Sequence, residues 1–242
     1  WRIMQLFYCK DISADGFVTL DAEESRHAVR VLRMHEGDEI DVTDGCGNLY
    51  RCRIVDANDR ACIIQVSQQS DKQTIMHPHI HLAVAPTKNP SRMEWLVEKA
   101  TEIGFDELSL LDCRFSERHV VKTDRLDKIA VSAMKQSRKA WLSQINAMQP
   151  FDRFIASHAD GRRYIAHCYD EVPREDLFCL LRSDTSTADA LVLVGPEGDF
   201  SIDEVRRAVD AGFVPVSLGK SRLRTETAGF AAVMMMHLSK SE

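Results

Sequence analysis

Hydrophobic and polar positions divide the chain into two regimes. In the first part, Gln5–Cys9, Phe17–Leu20, Glu39–Thr43, Leu49–Val55 and Ala61–Ser67 are short runs with β-branched or aromatic content, the pattern of strands in a small β-rich unit. From Ile80 onward, strand-length runs alternate with helical patterns, which predicts a mostly parallel sheet covered on both faces. Between the two lies Ser67–Thr74, polar and without hydrophobic periodicity, which reads as a linker. The expectation is an α/β protein of two domains, residues 1–72 and 73–242.

One helix interrupts the first unit. Asp21 is a candidate N-cap with Glu24 three residues on, and Ala28, Val29 and Leu32 supply an inward face until Gly37 ends the segment. Arg26, Arg30 and Arg33 stand at i, i+4 and i+7, a stripe that can track phosphates or simply face water. Asp44–Asn48 resembles the start of a dinucleotide fingerprint but leads into a strand, so it reads as a hairpin turn.

In the second unit, strand Leu82–Ala85 is followed by a helix capped by Asn89, with Pro90 at its first position, Met93, Leu96, Val97 and Ala100 inward, and Gly104 as terminator. Strand Leu108–Leu111 comes next, then a helix from Thr123 or Asp124 to about Lys139. Strands follow near Tyr164–Cys168, Leu191–Val194 and Phe213–Leu218. Ser201 with Glu204 forms a capping box for a helix burying Ile202, Val205 and Val209. Thr225 or Thr227 caps the last helix, with Phe230, Ala231, Met234 and Met235 as core.

Composition narrows the class. At 242 residues and 44% hydrophobic the chain is long enough for real cores, yet no apolar run approaches the roughly 20 residues of a membrane span. Met4 reads as a natural start, leaving Trp1, Arg2 and Ile3 as an extension, with no secretory signal ahead of the first strand. Seven cysteines without a C-x-x-C pair argue against a disulfide framework or structural zinc and for a reducing cytoplasm. His77, His79 and His81 alternate along a strand-like run; without a neighbouring carboxylate or cysteine at ligand spacing no metal is expected. The net charge of −6 hides an uneven distribution, since Arg114 to Lys139 holds eight basic residues against three acidic ones. Such a run is either a solvated helix face or a nucleic-acid footprint.

The chemistry points to two loops. Gly195-Pro196-Glu197-Gly198-Asp199-Phe200 and the stretch from Leu218-Gly219 to Ala228 each leave a strand and enter a helix, so both open at the carboxyl edge of the sheet, where α/β ligands usually sit. The first lacks the P-loop lysine, and Glu197 and Asp199 repel phosphate, so a ligand bearing a positive charge, hydroxyls or amines suits it better. The second crowds Lys220, Arg222 and Arg224 beside Gly219, just before Glu226 and the small residues Thr227, Ala228 and Gly229.

Gly195–Phe200, Leu218-Gly219 and Leu223-Arg224-Thr225-Glu226-Thr227-Ala228 resemble the bacterial 16S rRNA (uracil-N3)-methyltransferases of the SPOUT superfamily. Arg26-His27 with Val31–Met34 and Gly37-Asp38, Lys88, Arg92–Trp95, Glu98–Gly104, Ser116–Arg118 and Gln136–Arg138 resemble further family blocks in the expected order. Three positions depart from the pattern: Asp199 stands where a second glycine is usual, Ser221-Arg222 where Arg-Ile is usual, and Lys135 where an acidic residue is common.

The resemblance implies an N-terminal PUA-like β-barrel and a C-terminal SPOUT α/β domain with a trefoil knot. It further implies a homodimer, and a methyl transfer from S-adenosylmethionine (SAM) to N3 of a uridine in 16S ribosomal RNA or the small ribosomal subunit. Carried onto this chain, Gly195, Pro196, Glu197, Gly198, Leu218, Gly219, Leu223, Thr227 and Ala228 line the cofactor. Arg224 faces the developing uracil anion, and Glu226 is a base, a ligand of the SAM amino group, or only a helix-start carboxylate. Arg26, Arg30, Arg33, Lys88, Arg92, Arg118, Arg138 and Arg222 are the RNA-binding candidates. The rival readings are a non-catalytic RNA-binding ribosome-assembly factor and a nucleotide hydrolase.

Overall fold

A computed structural model describes residues 5–12, 16–69, 78–158, 161–183 and 189–239. The suggested extension Trp1–Ile3, His77 and the expected boundary at residue 72 lie outside them. The chain packs as two compact units, Trp1–Ile75 with Val131–Leu142, and Met76–Ala130 with Ser143–Glu242.

The first unit contains β1 (Leu6–Tyr8), β2 (Phe17–Thr19), α1 (Ala22–Arg26), β3 (Glu39–Thr43), β4 (Leu49–Asp56) and β5 (Ile63–Gln69). The strands form one sheet in the order β1-β3-β4-β5-β2, a half-barrel with two open edges among the described strands, the form the expected PUA-like barrel takes here. Its core is Phe7, Leu20, Ala28, Ile40, Val42, Cys52, Ile54 and Ile64. β5 extends through Gln69, so the first residues of the expected linker are strand. The Asp44–Asn48 turn joins antiparallel β3 and β4, with Asp44 Oδ1 accepting from the Cys46 and Asn48 amides.

Asp21 caps α1 as expected, its side chain accepting from the Glu23 and Glu24 amides. The helix does not reach Gly37, however. It passes into a π-helical turn, His27–Val31, and Arg33 takes a left-handed conformation at φ +54°. The wider turn and that reversal remove Arg33 from the helical stripe and leave Leu32, expected inward, 38% exposed beside Val31 at 63%. Lys135, from the segment that packs with this unit, forms an ion pair with the buried Glu24. Burial pushes the Glu24 carboxyl up and Lys135 opposes that rise, which gives a physical reason for the basic residue at this position.

In the second unit follow β6 (Ile80–Val84), α2 (Pro90–Ile103), β7 (Glu107–Asp112), α3 (Asp124–Gln136), β8 (Gln144–Pro150), α4 (Phe151–Ser157), β9 (Arg162–Ala166), β10 (Glu175–Asp176), α5 (Leu177–Ser183), β11 (Ala190–Val194), α6 (Ile202–Asp210), β12 (Val214–Ser217) and α7 (Thr225–Leu238). Helix α3 begins here and ends among the residues of the first unit. The sheet order is β10-β12-β9-β11-β6-β7-β8 and every pairing is parallel.

Alternation along β6 sends Leu82 and Ala83 to opposite faces. On one face Ala83, Leu111, Ile165 and Leu193 pack with Phe151 and Phe154 of α4 and Val205 and Ala208 of α6. On the other, α7 packs on β6, β11, α2 and α5. Gly229 permits that approach, since a Cβ there would lie 3.0 Å from Leu96 and 3.2 Å from Leu82.

The local signals hold where side chains close the helix ends. Asn89 accepts from the Ser91 amide, Gly104 terminates α2 at φ +118°, and Ser201 and Glu204 form a reciprocal capping box. Three inward faces or caps differ. Val209 is 38% exposed and Ala208 takes its place in the core. Arg224, not Thr225 or Thr227, is the N-cap of α7 and makes no side-chain cap bond. Beyond the first turn of α7 the buried residues are Gly229, Ala232, Val233 and Met236, so the core face is rotated from Phe230, Ala231, Met234 and Met235, which are half-buried. Helix α3 stops at Gln136, short of Lys139. Every described cysteine is a free thiol, and no described helix is long and apolar enough to cross a membrane.

Candidate functional site

Three strands define the site through their register. Ala166, the last residue of β9, pairs with Val194 of β11 on one side and Val216 of β12 on the other. The three following loops therefore open together at the carboxyl edge, as expected of a ligand site in such a sheet. Between them lies a cleft of about 1140 Å³ whose walls include Val194, Gly195, Pro196, Glu197, Val216 and Leu218.

The first loop is tightly folded. Gly195 packs against its own turn, because a Cβ there would lie 2.8 Å from the Phe200 amide nitrogen. The Asp199 amide donates to the Pro196 carbonyl at 2.9 Å, closing a turn. Glu197 is held from outside: its Oε1 accepts from the Lys88 amide at 2.9 Å, and Arg92 Nη1 lies 3.9 Å away. Asp199 occupies φ +69°, a conformation glycine adopts at little cost and other residues rarely. Its carboxylate offsets that strain by accepting from the Cys168 amide at 2.8 Å and from the Phe200 amide at 2.8 Å. The departure from glycine thus binds the loop after β11 to the loop after β9.

Of the expected cofactor residues, Gly195, Pro196, Glu197, Leu218, Gly219, Leu223 and Ala228 line the cleft, as do Arg224, Arg92 and Arg222. Gly198, Thr227 and Glu226 do not. Glu226 is 9% exposed in the first turn of α7. Its Oε1 lies 3.6 Å from Arg92 Nε, and its Oε2 is buried without a hydrogen-bond partner among the described residues. Arg118 donates to the Lys88 carbonyl at 3.1 Å, steadying the strand-to-helix loop that carries Lys88. In the first unit, Arg26, Arg30 and Arg33 are exposed, Arg30 is ion-paired with Asp59, and Arg138 sits at φ +57° after α3.

The sequence reading did not single out His167, Cys168, Arg174 or Asp176, all of which also line the cleft. They follow β9, whose place between β11 and β12 is a matter of strand order, and no local pattern announces it. Nor did it connect the histidine run to Glu107: His79 Nε2 and His81 Nδ1 lie 3.6 and 3.7 Å from its Oε2. His81 belongs to β6 and Glu107 to β7, with His79 just before β6, and no described cluster has the arrangement of a metal site.

The chain thus combines a small β unit with a parallel α/β unit that carries a cleft at its carboxyl edge. Residues 75–237 match the RNA methyltransferase domain family and residues 20–67 the RNA methyltransferase PUA domain. A probable rRNA-methyltransferase from Porphyromonas gingivalis is 42% identical and superposes with a TM-score of 0.88 over 98% of both chains. The ribosomal RNA small subunit methyltransferase E of Synechocystis is 30% identical over 92% of this chain and 73% of its own. The Neisseria gonorrhoeae enzyme of that name, solved bound to S-adenosyl methionine, shares the fold with a TM-score of 0.84 at 24% identity over 97% of both chains. The chain belongs to the ribosomal RNA small subunit methyltransferase E family.

Proposed function

We propose that this protein transfers the methyl group of SAM to N3 of a uridine in 16S ribosomal RNA. The observation that carries the reading is the cleft itself. It brings apolar walls, two glycine-bearing loops and the guanidinium groups of Arg92, Arg222 and Arg224 together at one sheet edge. Its size suits a nucleoside cofactor, since small-molecule sites run to about 1,000 Å³. The donor set fits SAM: Val194, Val216, Leu218 and Leu223 offer surface to a flat ring, Glu197 an acceptor to an amine, and the phosphate-binding lysine of a nucleotide hydrolase is missing. The gonococcal relative's bound SAM supports the same choice.

When bound, SAM supplies an electrophilic methyl group on its sulfonium. The residues of the chain do the rest by positioning and charge. Uracil N3 carries a proton and lies on the pairing edge, so the base enters the cleft unpaired. Arg224, exposed at the start of α7 and on the cleft wall, opposes the negative charge that develops on O2 or O4 as that proton leaves. Gly195, Pro196, Leu218, Gly219, Leu223 and Ala228 hold the cofactor by backbone and apolar contact, while Gly198 and Thr227 support the loop and helix that present them. Glu226 remains a candidate base, or a ligand of the amino group.

Residues 1–72 serve as the PUA-like RNA-binding domain and residues 73–242 as the catalytic domain. Arg26, Arg30, Arg33 and Arg138 in the first packing unit, and Lys88, Arg92, Arg118 and Arg222 in the second, are the RNA contacts. The family resemblance supports a trefoil knot in the catalytic domain, a homodimer as the working state and a cytoplasmic setting. Mapping methylated nucleotides by mass spectrometry, after incubating unmodified 16S RNA or small subunits with the protein and SAM, tests the reading. A single N3-methyluridine is expected. Methylation at carbon, ribose or another base overturns it.

A further inference from the structure

His167 is buried, at 4% exposure, in the wall of the cleft. Its Nδ1 accepts a hydrogen bond from the Tyr169 amide at 3.2 Å. An acceptor at Nδ1 cannot also carry the proton, so the neutral ring is protonated at Nε2. That Nε2–H donor is buried and has no hydrogen-bond partner among the described residues. A buried donor left unmatched is costly and points to a missing acceptor.

We infer that His167 is a cofactor-recognition residue, donating Nε2–H to an uncharged acceptor on the adenosine part of SAM. The inference rests on the methyltransferase reading above and adds a residue that neither loop motif contains. Its place argues for the adenosine half. His167 directly follows Ala166, which the register sets between the buried Val194 and Val216, so it opens the loop that lies between the two glycine-bearing loops and lines the cleft there. The charged lining groups Glu197, Arg92 and Arg224 come from other elements, the first glycine loop, α2 and the start of α7, which accommodate a charged tail better than buried valines do. The ring is kept neutral chiefly by burial, with Arg174 acting in the same direction and Asp199 against it. A neutral donor suits a ring nitrogen or ribose hydroxyl.

Two measurements test this. In the wild-type protein, nitrogen-15 NMR of the His167 ring should report the Nε2–H tautomer. Saturating SAM, and adenosine alone, should each move the Nε2 resonance, while methionine should not. By calorimetry, His167→Leu should weaken SAM about five- to tenfold, the size of one neutral hydrogen bond, whereas His167→Gln, which keeps an N–H donor, should stay within about twofold to threefold. An Nδ1–H tautomer, a ring unmoved at saturating SAM, or a response to SAM but not to adenosine overturns the inference while leaving the methyltransferase reading intact. If wild-type protein fails to bind SAM at all, that reading fails and takes this inference with it.

Discussion

Arg92 Nε lies 3.6 Å from Glu226 Oε1. The pair joins the first turn of α2 to the first turn of α7, and because Arg92 also approaches Glu197 at 3.9 Å, one guanidinium stands between the first glycine loop and the last helix. Sequence reading assigned Arg92 to RNA; its geometry adds a role inside the protein. Arg92→Ala leaves Glu226 buried with both oxygens unmatched by a cation, at a cost of about 1–2 kcal/mol given the partial exposure of Arg92. Arg92→Lys should recover part of that stability but little of the geometry, since an ammonium cannot span two carboxylates as a planar fork does. Urea unfolding of both variants is the check, and equal stability of Arg92→Ala and wild type would remove Arg92 from this role.

Arg224 offers a cleaner kinetic separation. It is exposed and makes no side-chain cap bond to α7, so its loss should cost the fold little. Arg224→Ala should lower single-turnover methylation by about 100-fold, the scale of one lost electrostatic stabiliser, with the SAM dissociation constant changed by less than about threefold. Unchanged turnover would take Arg224 out of the mechanism.

Asp199 combines strain with compensation, and two substitutions divide them. Asp199→Ala keeps φ near +69° but loses the acceptors for the Cys168 and Phe200 amides, so it should destabilise by about 1–2 kcal/mol. Asp199→Gly loses the same bonds while relieving the backbone, and should fall within about 0.5–1 kcal/mol of wild type. Thermal and denaturant unfolding should rank wild type and glycine above alanine. Alanine equal to glycine would show that the left-handed backbone carries no measurable strain.

What the sequence could reveal follows from the range of each interaction. The caps at Asp21, Asn89 and Ser201 were legible because donor and acceptor lie within three residues. So were β11, which is continuously apolar, and the apolar part of β6 after His81. β8, Gln144–Pro150, was not: at the sheet edge it mixes polar and apolar residues without clean alternation, and the short α4 directly behind it offers no side-chain cap. The position of Arg33 depends on a π turn that no periodicity rule anticipates. The glycine loops could be recognised as a site from residue types alone, yet His167 could be placed there only once β9 was known to lie between β11 and β12.

The arginines of the first unit yield a prediction about salt. Arg26, Arg30 and Arg33 no longer share one helical stripe, but all three are exposed, and Arg30 can exchange Asp59 for phosphate. Substituting all three by alanine should weaken RNA binding and reduce the slope of log K against log salt by roughly 2, at about 0.7 for each single-strand phosphate no longer neutralised. SAM binding should be unaffected. A slope identical to wild type would assign them to solvent.

The buried histidine of β6 yields a prediction about acid stability. His81 is 5% exposed, its Nε2 is 2.9 Å from Ser109 Oγ, and burial, aided by His158 and His79, lowers its pKa from 6.5 to about 3. Burial outweighs the Glu107 carboxylate 3.7 Å away. The unfolded chain therefore binds a proton that the folded one refuses. The stability associated with neutral His81 is complete above pH 6.5 and is lost progressively as pH falls toward 3, at up to about 1.4 kcal/mol per unit. His81→Gln removes the titrating group while retaining a polar partner for Ser109. Between pH 6.5 and 4.5, wild type should lose about 1 kcal/mol per pH unit more than His81→Gln in denaturant unfolding. Parallel pH profiles for the two proteins would show that His81 titrates normally and that the acid sensitivity arises elsewhere.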